Sequence, residues 1–247
     1  MKAVLAVALI ALCGTAYGQY QNTAHSARSS AMGGCIVPDD TVRRLTVDYR
    51  RTYMLAEMSD KGVEAVWPTG RIGIAGASYS RYGGSGYREQ NATAGYALRV
   101  APWLKVGVAA HYMHVGTSDA YYEPQQWLAA TAGMQATLDG RLYFTLLGGT
   151  RPWAIQRPWR AHAQVAYRPV SQVLAVVEAE SEDRIRMRFG MEYHYNGLLF
   201  FRAGFATNPL TAAFGLGVKY RWLSIDIGVE THRVLGMTPH TSLTLWL

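Results

Sequence analysis

The sequence predicts an all-β protein, a transmembrane antiparallel β-barrel of about 14 strands, with a short N-terminal segment that could plug its lumen. Three features lead to this prediction. Hydrophobic residues alternate with polar or small ones, turn residues interrupt that alternation about every dozen positions, and an export signal stands at the N-terminus.

The alternation is clearest in the last third of the chain. Between positions 210 and 222 the even positions are mostly large and apolar or aromatic, whereas the odd positions are small or charged. The segment 223–234 repeats the pattern. A period of two predicts strands with one apolar face and one polar face. A barrel accommodates both faces of such strands, because the apolar face contacts lipid and the polar face lines the lumen.

The N-terminus predicts export. Lys2 precedes an apolar run over residues 3–12, and a small-x-small cleavage pattern follows at 16–18, so residues 1–18 are expected to be a signal peptide. A rival interpretation is a lipoprotein, because Cys13 ends a loose lipobox. We expect the mature protein in the outer membrane of a Gram-negative bacterium, after removal of the signal peptide, in contact with outer-membrane lipid.

Residues 42–247 are expected to form the barrel, and residues 19–41 to precede it. Short turns are predicted to alternate with longer connections, as they do between the periplasmic and outer ends of bacterial barrels. A merged pair of strands would reduce the number from fourteen to twelve. The predicted strands are 43–57, 60–68, 70–82, 88–100, 103–116, 126–138, 140–151, 159–168, 172–181, 184–195, 197–207, 210–222, 223–234 and 240–247.

Charge and cysteine content exclude several classes of function. The net charge is +7, but Lys and Arg are spread singly through the strands, which argues against a nucleic-acid partner. The chain has two cysteines, and one lies in the predicted signal peptide. Cys35 is then alone, so neither a disulfide framework nor a cysteine metal cluster is expected, and no cofactor is predicted.

The inward face of the predicted strands is rich in charge. Acidic and basic residues are interleaved there, so neighbouring strands could pair them across a narrow lumen, and such pairs commonly serve only to stabilise the barrel. The histidines at 111, 194 and 232 share this face. The candidate lumen charges are Asp48, Arg50, Arg99, Lys105, Arg188, Glu192, Arg202, Lys219, Asp226 and Glu230.

The segment 19–41 lacks the alternation of a strand and is rich in small residues. It could be a disordered tail, or it could fold into the lumen as a hatch, where small residues allow close packing and a glycine pair provides a turn. The candidate hatch residues are Arg28, Met32, Gly33 and Gly34.

Residues 26–34, which read SARSSAMGG, resemble the segment that follows the signal peptide in the PorV and PorQ proteins of the Bacteroidota, outer-membrane barrels related to the fatty-acid transporter FadL. The resemblance implies a fourteen-stranded barrel with an N-terminal hatch. The Asn-Pro-Ala element of the family is absent, and the chain is shorter than typical members, so no fatty-acid-binding residues are carried over. Further matches lie at 82–89, 201–205, 214–217 and 235–240.

Two classes of function follow. The resemblance implies an interaction protein or accessory component of type IX secretion or surface attachment, with secretion-system subunits or secreted proteins as partners. Its candidate contacts are the loop aromatics Tyr121, Tyr122, Trp153 and Trp159, which could equally form an outer aromatic girdle. The alternative is a FadL-like passive channel for hydrophobic solutes.

No catalytic constellation is evident in the sequence. His111, His114 and His232 lie on predicted strands, and Ser118, Asp119 and Glu123 lie on one loop. Their spacing does not place them together, and no metal motif accompanies them. We therefore expect a protein that is not an enzyme.

Overall fold

The computed structural model describes residues 26–37, 42–70, 72–119, 123–152, 158–181 and 185–247. Within these residues, fourteen strands form one closed barrel. Each strand pairs antiparallel with its neighbour in sequence, and the first strand closes the barrel against the last, with Arg44 opposite Trp246. The predicted fold class is therefore confirmed, and the larger of the two predicted strand numbers is correct.

The strands are named in chain order. They are β1 (Arg44–Arg51), β2 (Ser59–Thr69), β3 (Gly73–Gly83), β4 (Tyr87–Ala101), β5 (Leu104–Thr117), β6 (Gln125–Leu138), β7 (Leu142–Thr150), β8 (Trp159–Val170), β9 (Val173–Ser181), β10 (Ile185–Tyr195), β11 (Leu199–Ala206), β12 (Thr211–Tyr220), β13 (Leu223–His232) and β14 (Gly236–Trp246).

Two predicted strand boundaries differ from the structure by four residues or more. The first strand was expected to run to residue 57, but it ends at Arg51, and 3-10 turns follow at Thr52–Met54 and Ala56–Met58. Tyr53 has φ of 54°, which extended backbone does not allow. The last strand was expected from residue 240 but begins at Gly236 and continues through Pro239, because the fixed φ of proline is compatible with a strand.

Alternation separates the two faces of the barrel. On β11–β13 the outward side chains are large and apolar, and Phe201, Leu216 and Ile227 are 46%, 58% and 54% exposed. On β13 the inward side chains of Ser224 and Asp226 are buried. Apolar side chains exposed all around a closed sheet are expected where the surrounding medium is lipid. Among the described residues, no helix is both long and apolar enough to cross a membrane.

The two ends of the barrel differ in their connections. At the end that holds the start of β1 and the finish of β14, consecutive strands are separated by two or three residues. Positive φ at Asp139-Gly140 and Asn196-Gly197 allows the tight turns there, as in hairpins whose twist matches that of the strands. At the opposite end the separations run from three to eight residues. We name these the turn end and the loop end.

Residues 26–37, the N-terminal segment, lie inside the barrel. Ser26 caps a short helix, α1 (Ala27–Ala31), by accepting a hydrogen bond from the Ser29 backbone N–H at 3.4 Å. The helix contacts β11 to β14. The chain then reverses at Gly33 and Gly34, where φ is 72° and 82°. Only glycine adopts such backbone angles without steric cost.

Candidate functional site in the barrel lumen

Glycines on the inner wall make room for the N-terminal segment. Gly190 of β10 stands directly opposite Gly204 of β11. A Cβ built on Gly204 would lie 2.3 Å from the Met32 carbonyl carbon, and one built on Gly190 would lie 2.6 Å from the Met32 oxygen. Gly215 leaves space in the same way for Ala31, at 2.4 Å. The wall of β10 to β12 is therefore shaped to the backbone of this segment.

Glu192 is a fully buried carboxylate that holds the start of the segment. Arg28 donates to it through Nε, 2.7 Å from Oε2, and through Nη2, 2.6 Å from Oε1. Arg202 donates to the same carboxylate at 2.6 Å, and His194 Nε2 lies 2.7 Å from Oε1. Two guanidinium groups therefore offset the cost of burying one carboxylate.

Arg202 extends this network across two more strands. Its Nη1 donates to Asp226 of β13 at 2.7 Å. Gly217 provides the space, because a Cβ there would lie 2.2 Å from an Asp226 oxygen. The chain of contacts from Arg28 through Glu192 and Arg202 to Asp226 alternates in sign. It links the N-terminal segment to β10, β11 and β13.

Glu178 is a second fully buried carboxylate, and it holds the end of the segment. Its Oε2 accepts a hydrogen bond from the Ile36 backbone N–H at 2.9 Å. Its Oε1 accepts from Arg188 and lies 2.7 Å from His162 Nε2. Gln164 donates to the Ile36 carbonyl oxygen at 2.5 Å. Both polar groups of the Ile36 peptide backbone are therefore satisfied by the barrel wall.

Between these two polar anchors lies a small apolar cluster. Met32 and Cys35 are fully buried against Ala166, Leu174 and Val176. The Ser29 hydroxyl donates to the Cys35 carbonyl oxygen at 2.5 Å, which closes the segment on itself. Burial, and then the charge of Glu178, raise the pKa of the Cys35 thiol. The thiol is therefore protonated and shielded while the segment is docked.

The opposite side of the lumen, along β2 to β7, is mostly apolar near the turn end, where its polar members include Lys105, Gln135 and Thr145. A cavity of about 330 Å³ lies against this wall near the turn end, bordered by Val66, Ile74, Ala97, Ala109 and Leu147. Directly opposed glycines thin the wall beside it, namely Gly76 with Gly95 and Gly107 with Gly133. A lumen wall of small and aliphatic residues favours apolar solutes over hydrated ones.

A second cavity, of about 260 Å³, shares Thr131 and Leu147 with the first and is more polar. His111 lies at its edge, with Nδ1 2.9 Å from the Thr93 hydroxyl and Nε2 2.9 Å from the Thr131 hydroxyl. Both ring nitrogens of His111 therefore have partners. The cavity also borders Glu178 and so reaches the anchor of the N-terminal segment.

Apolar side chains continue toward the loop end. Met113 and Trp127 stand directly opposite each other on β5 and β6 and are only 2% and 6% exposed. Ala129 completes this cluster, and Val115 packs against it. The β5–β6 wall therefore presents apolar groups at both ends of the lumen, separated by the His111 and threonine layer.

Four predicted lumen charges come together in the two networks described, namely Arg188, Glu192, Arg202 and Asp226. Arg50 pairs instead with Asp60 on β2, at 3.3 Å. Asp48 lies 3.9 Å from His240 Nε2 on β14.

The other predicted lumen charges have different surroundings. Lys105 donates to Gln135 at 3.3 Å, and the Lys219 ammonium lies 3.8 Å from the centre of the Trp246 ring. Arg99 is exposed near the turn end, and Glu230 is half-buried toward the loop end. These groups do not join the network around Glu192.

The predicted loop aromatics are mostly outside the described residues. Tyr121, Tyr122 and Trp153 fall there, as do the predicted signal peptide and cleavage site. Trp159 begins β8 at the loop end and is 44% exposed.

Sequence reasoning missed Glu178, His162 and Gln164. The strand that carries Glu178 has apolar residues on both faces, so alternation alone did not identify its inward side. Pairing with the following strand was the available signal, since Glu178 lies directly opposite Arg188. Among the described residues, no group of histidine, cysteine and acidic side chains could hold a metal ion.

Comparison with known proteins finds solved structures that share this fold. The structure is similar to the toluene transporter TbuX of Ralstonia pickettii, with a TM-score of 0.63 and 12% identity, over 91% of this chain and 97% of that one. It is also similar to a FadL homologue of Pseudomonas aeruginosa, with a TM-score of 0.63 and 11% identity, over 94% of this chain and 99% of the other.

The outer membrane protein Omp33 of Acinetobacter baumannii is a third similar structure, with a TM-score of 0.61 and 8% identity, over 83% of this chain and 98% of that one. No protein-family model matches the chain. No curated protein matches it either. The chain therefore shares the fold of these outer-membrane β-barrel proteins.

Proposed function

We propose that this protein is a passive outer-membrane channel for small hydrophobic solutes. The observation that carries the proposal is the cavity of about 330 Å³ on the inner wall of β2 to β7, bordered by Val66, Ile74, Ala97, Ala109 and Leu147. A general aqueous pore has a polar lumen. Here the surface of this cavity is mainly apolar, although Lys105, Gln135 and Thr145 also line it, and a hydrophobic solute gains by leaving water for it.

The N-terminal segment has a distinct role in this proposal. Clamped by Glu192 and Glu178 to the wall of β9 to β13, it obstructs that side of the lumen and leaves the apolar side open. A partly filled lumen limits the leak of water and ions. Deleting residues 19–41 should therefore raise ion conductance in planar bilayers. Equal conductance with and without the segment would show that it does not obstruct the lumen.

The comparisons support this proposal by analogy of fold. Similar structures include a protein described as a toluene transporter and another described as a FadL homologue. The type IX interpretation that the PorV and PorQ resemblance suggests has no support from the comparisons, because no family model or curated protein matches. The channel is therefore preferred to the interaction protein.

A pair of uptake measurements tests the proposal. In Gram-negative cells with complete lipopolysaccharide and no hydrocarbon channel of their own, expression should accelerate the initial uptake of a labelled monoaromatic hydrocarbon. In liposomes, the same protein should give no swelling with arabinose. Swelling with arabinose would indicate a general porin. An unchanged hydrocarbon uptake, together with near-stoichiometric recovery of secretion-system subunits in a native pull-down, would favour the interaction protein.

A further inference from the structure

We propose a binding site for a phosphorylated glycolipid of the lipid A class on the outer surface of the barrel, at the loop end of β2 to β4. The site lies on the lipid-facing side of the wall and is separate from the lumen. The inference rests on the barrel lying in an outer membrane, and it does not depend on which solute the lumen conducts.

Three cations form the head of the site. Lys61 of β2 stands directly opposite Arg81 of β3, and Arg88 of β4 stands opposite Gly83, two positions further along β3. All three side chains are exposed. They alternate along their strands with the inward residues Asp60, Tyr82 and Glu89, so they point away from the lumen.

Among the described residues, none of these three cations has an acidic pairing partner. In the described part of the chain, no hydrogen bond or ion pair joins the side chains of Lys61, Arg81 or Arg88 to an acidic residue. Of the nearby acids, Asp60 and Glu89 belong to the inward face and are buried, whereas Glu57 is exposed and lies beside Gly84. Like charges directly opposite each other on a sheet are destabilising. An external anion that binds between them would relieve that repulsion, and guanidinium groups bind phosphate oxygens in two-pronged fashion.

The position of the cations along the strands indicates that the anion belongs to a lipid. The loop end carries the longer connections, as the outer end of bacterial barrels does. On the same face, Tyr49 stands directly opposite Lys61, and Tyr79 lies two residues from Arg81 along β3, farther from the loop end. Tyrosines at this depth mark the boundary between head groups and acyl chains.

Below the tyrosines the barrel surface forms a shallow trough of small side chains. Ala65, Ala77, Ala94 and Ala110 stand directly opposite one another across β2, β3, β4 and β5. The far side of the barrel instead carries large groups at its surface, such as Phe214 and Ile227. Acyl chains can lie closely along the alanine row while the phosphates reach the cations above. We therefore assign the site to a lipid with phosphate on its head group, in preference to a free phosphate ion.

Native mass spectrometry of the detergent-solubilised full-length barrel tests this assignment. Diphosphorylated lipid A should bind, whereas its dephosphorylated counterpart and inorganic pyrophosphate should bind far more weakly. The double variant R81Q/R88Q should lower the affinity for lipid A about thirtyfold, since each basic residue near an anionic lipid contributes about fivefold. The matched control is R99Q/R141Q, which removes two exposed charges at the turn end.

A second pair of variants tests the trough independently of the charges. Ala94→Phe should weaken lipid A binding several-fold, whereas Ala175→Phe, on the lipid-facing side of β9, should not. Heat-modifiable migration should be retained in every variant, which shows that each one is folded. Equal lipid A affinity in R81Q/R88Q and R99Q/R141Q would overturn the proposal. Tight binding of pyrophosphate that is lost in R81Q/R88Q would also overturn it, because the site would then recognise a free anion.

Discussion

Arg28 and Glu192 are 164 positions apart in the chain, yet they form a two-pronged ion pair inside the barrel, with N–O distances of 2.7 and 2.6 Å. Glu192 is fully buried and also accepts a hydrogen bond from Arg202. Removing one member of a buried ion pair is costly, because the charge of the remaining member is then buried without compensation. This pair is therefore the main polar anchor of the N-terminal segment.

Replacing Glu192 with Gln should release the segment and destabilise the barrel. The amide removes the negative charge that pairs with Arg28 and Arg202, and breaking a buried ion pair from one side typically costs about 3–5 kcal/mol. We expect heat-modifiable migration to be lost at a lower temperature than in the wild type. Glu230→Gln is the control, because Glu230 is half-buried and outside the network. Equal transition temperatures for the two variants would show that Glu192 is not an anchor.

The reactivity of Cys35 reports whether the segment is docked. A free thiol ionises near pH 8.5, but burial and the charge of Glu178 raise the pKa of this one. In a chain that starts at Gln19, maleimide labelling should stay slow up to pH 9 and become fast after denaturation. Docking should weaken at higher pH, because the folded state holds the thiol proton more tightly than the unfolded state does.

An exposed cysteine provides the reference for that measurement. In the variant C35S/S85C the single thiol lies in the exposed connection between β3 and β4. Its labelling rate should rise with pH in the usual way. If Cys35 labels as fast as this reference in the native barrel, the segment is not packed as described.

Glycine at position 204 is required by the close approach of the segment. In Gly204→Ala the new Cβ would meet the Met32 carbonyl carbon at 2.3 Å, a distance that the backbone cannot accommodate without moving. We expect faster labelling of Cys35 and a barrel that is otherwise intact. Gly148→Ala is the matched control, since nothing lies within 4 Å of a Cβ there. Equally slow labelling of both variants would argue against the glycine-lined groove.

Much of the barrel follows from the sequence, because alternation and turn residues are local signals. The strand from Thr211 to Tyr220 illustrates this, since its inward and outward residues are those that the period of two assigns. The end of β1 was missed for a local reason as well. The residues after Arg51 continue to look strand-like, and only their backbone angles reveal the turn.

The lumen was harder to predict, because its pairs depend on contacts far apart in sequence. Glu192 and Arg202 could be paired from strand order, because they lie directly opposite each other on neighbouring strands, and they are paired. The contact of Glu178 with the Ile36 backbone could not, since it depends on how the N-terminal segment turns inside the barrel. Lys219 was expected to find an acid but lies over the Trp246 ring, a contact that no charge pattern indicates.

The central claim is that hydrophobic solutes pass through the mainly apolar cavity on the wall of β2 to β7, and a pair of adjacent substitutions tests it most directly. Ala109 borders the lumen cavity, whereas Ala110 is the next residue of the strand and is exposed on the lipid-facing side. Ala109→Trp should abolish the protein-dependent uptake of a monoaromatic hydrocarbon by cells, and Ala110→Trp should leave it unchanged. Uptake that survives Ala109→Trp, or that falls equally in both folded variants, would contradict a route along this wall.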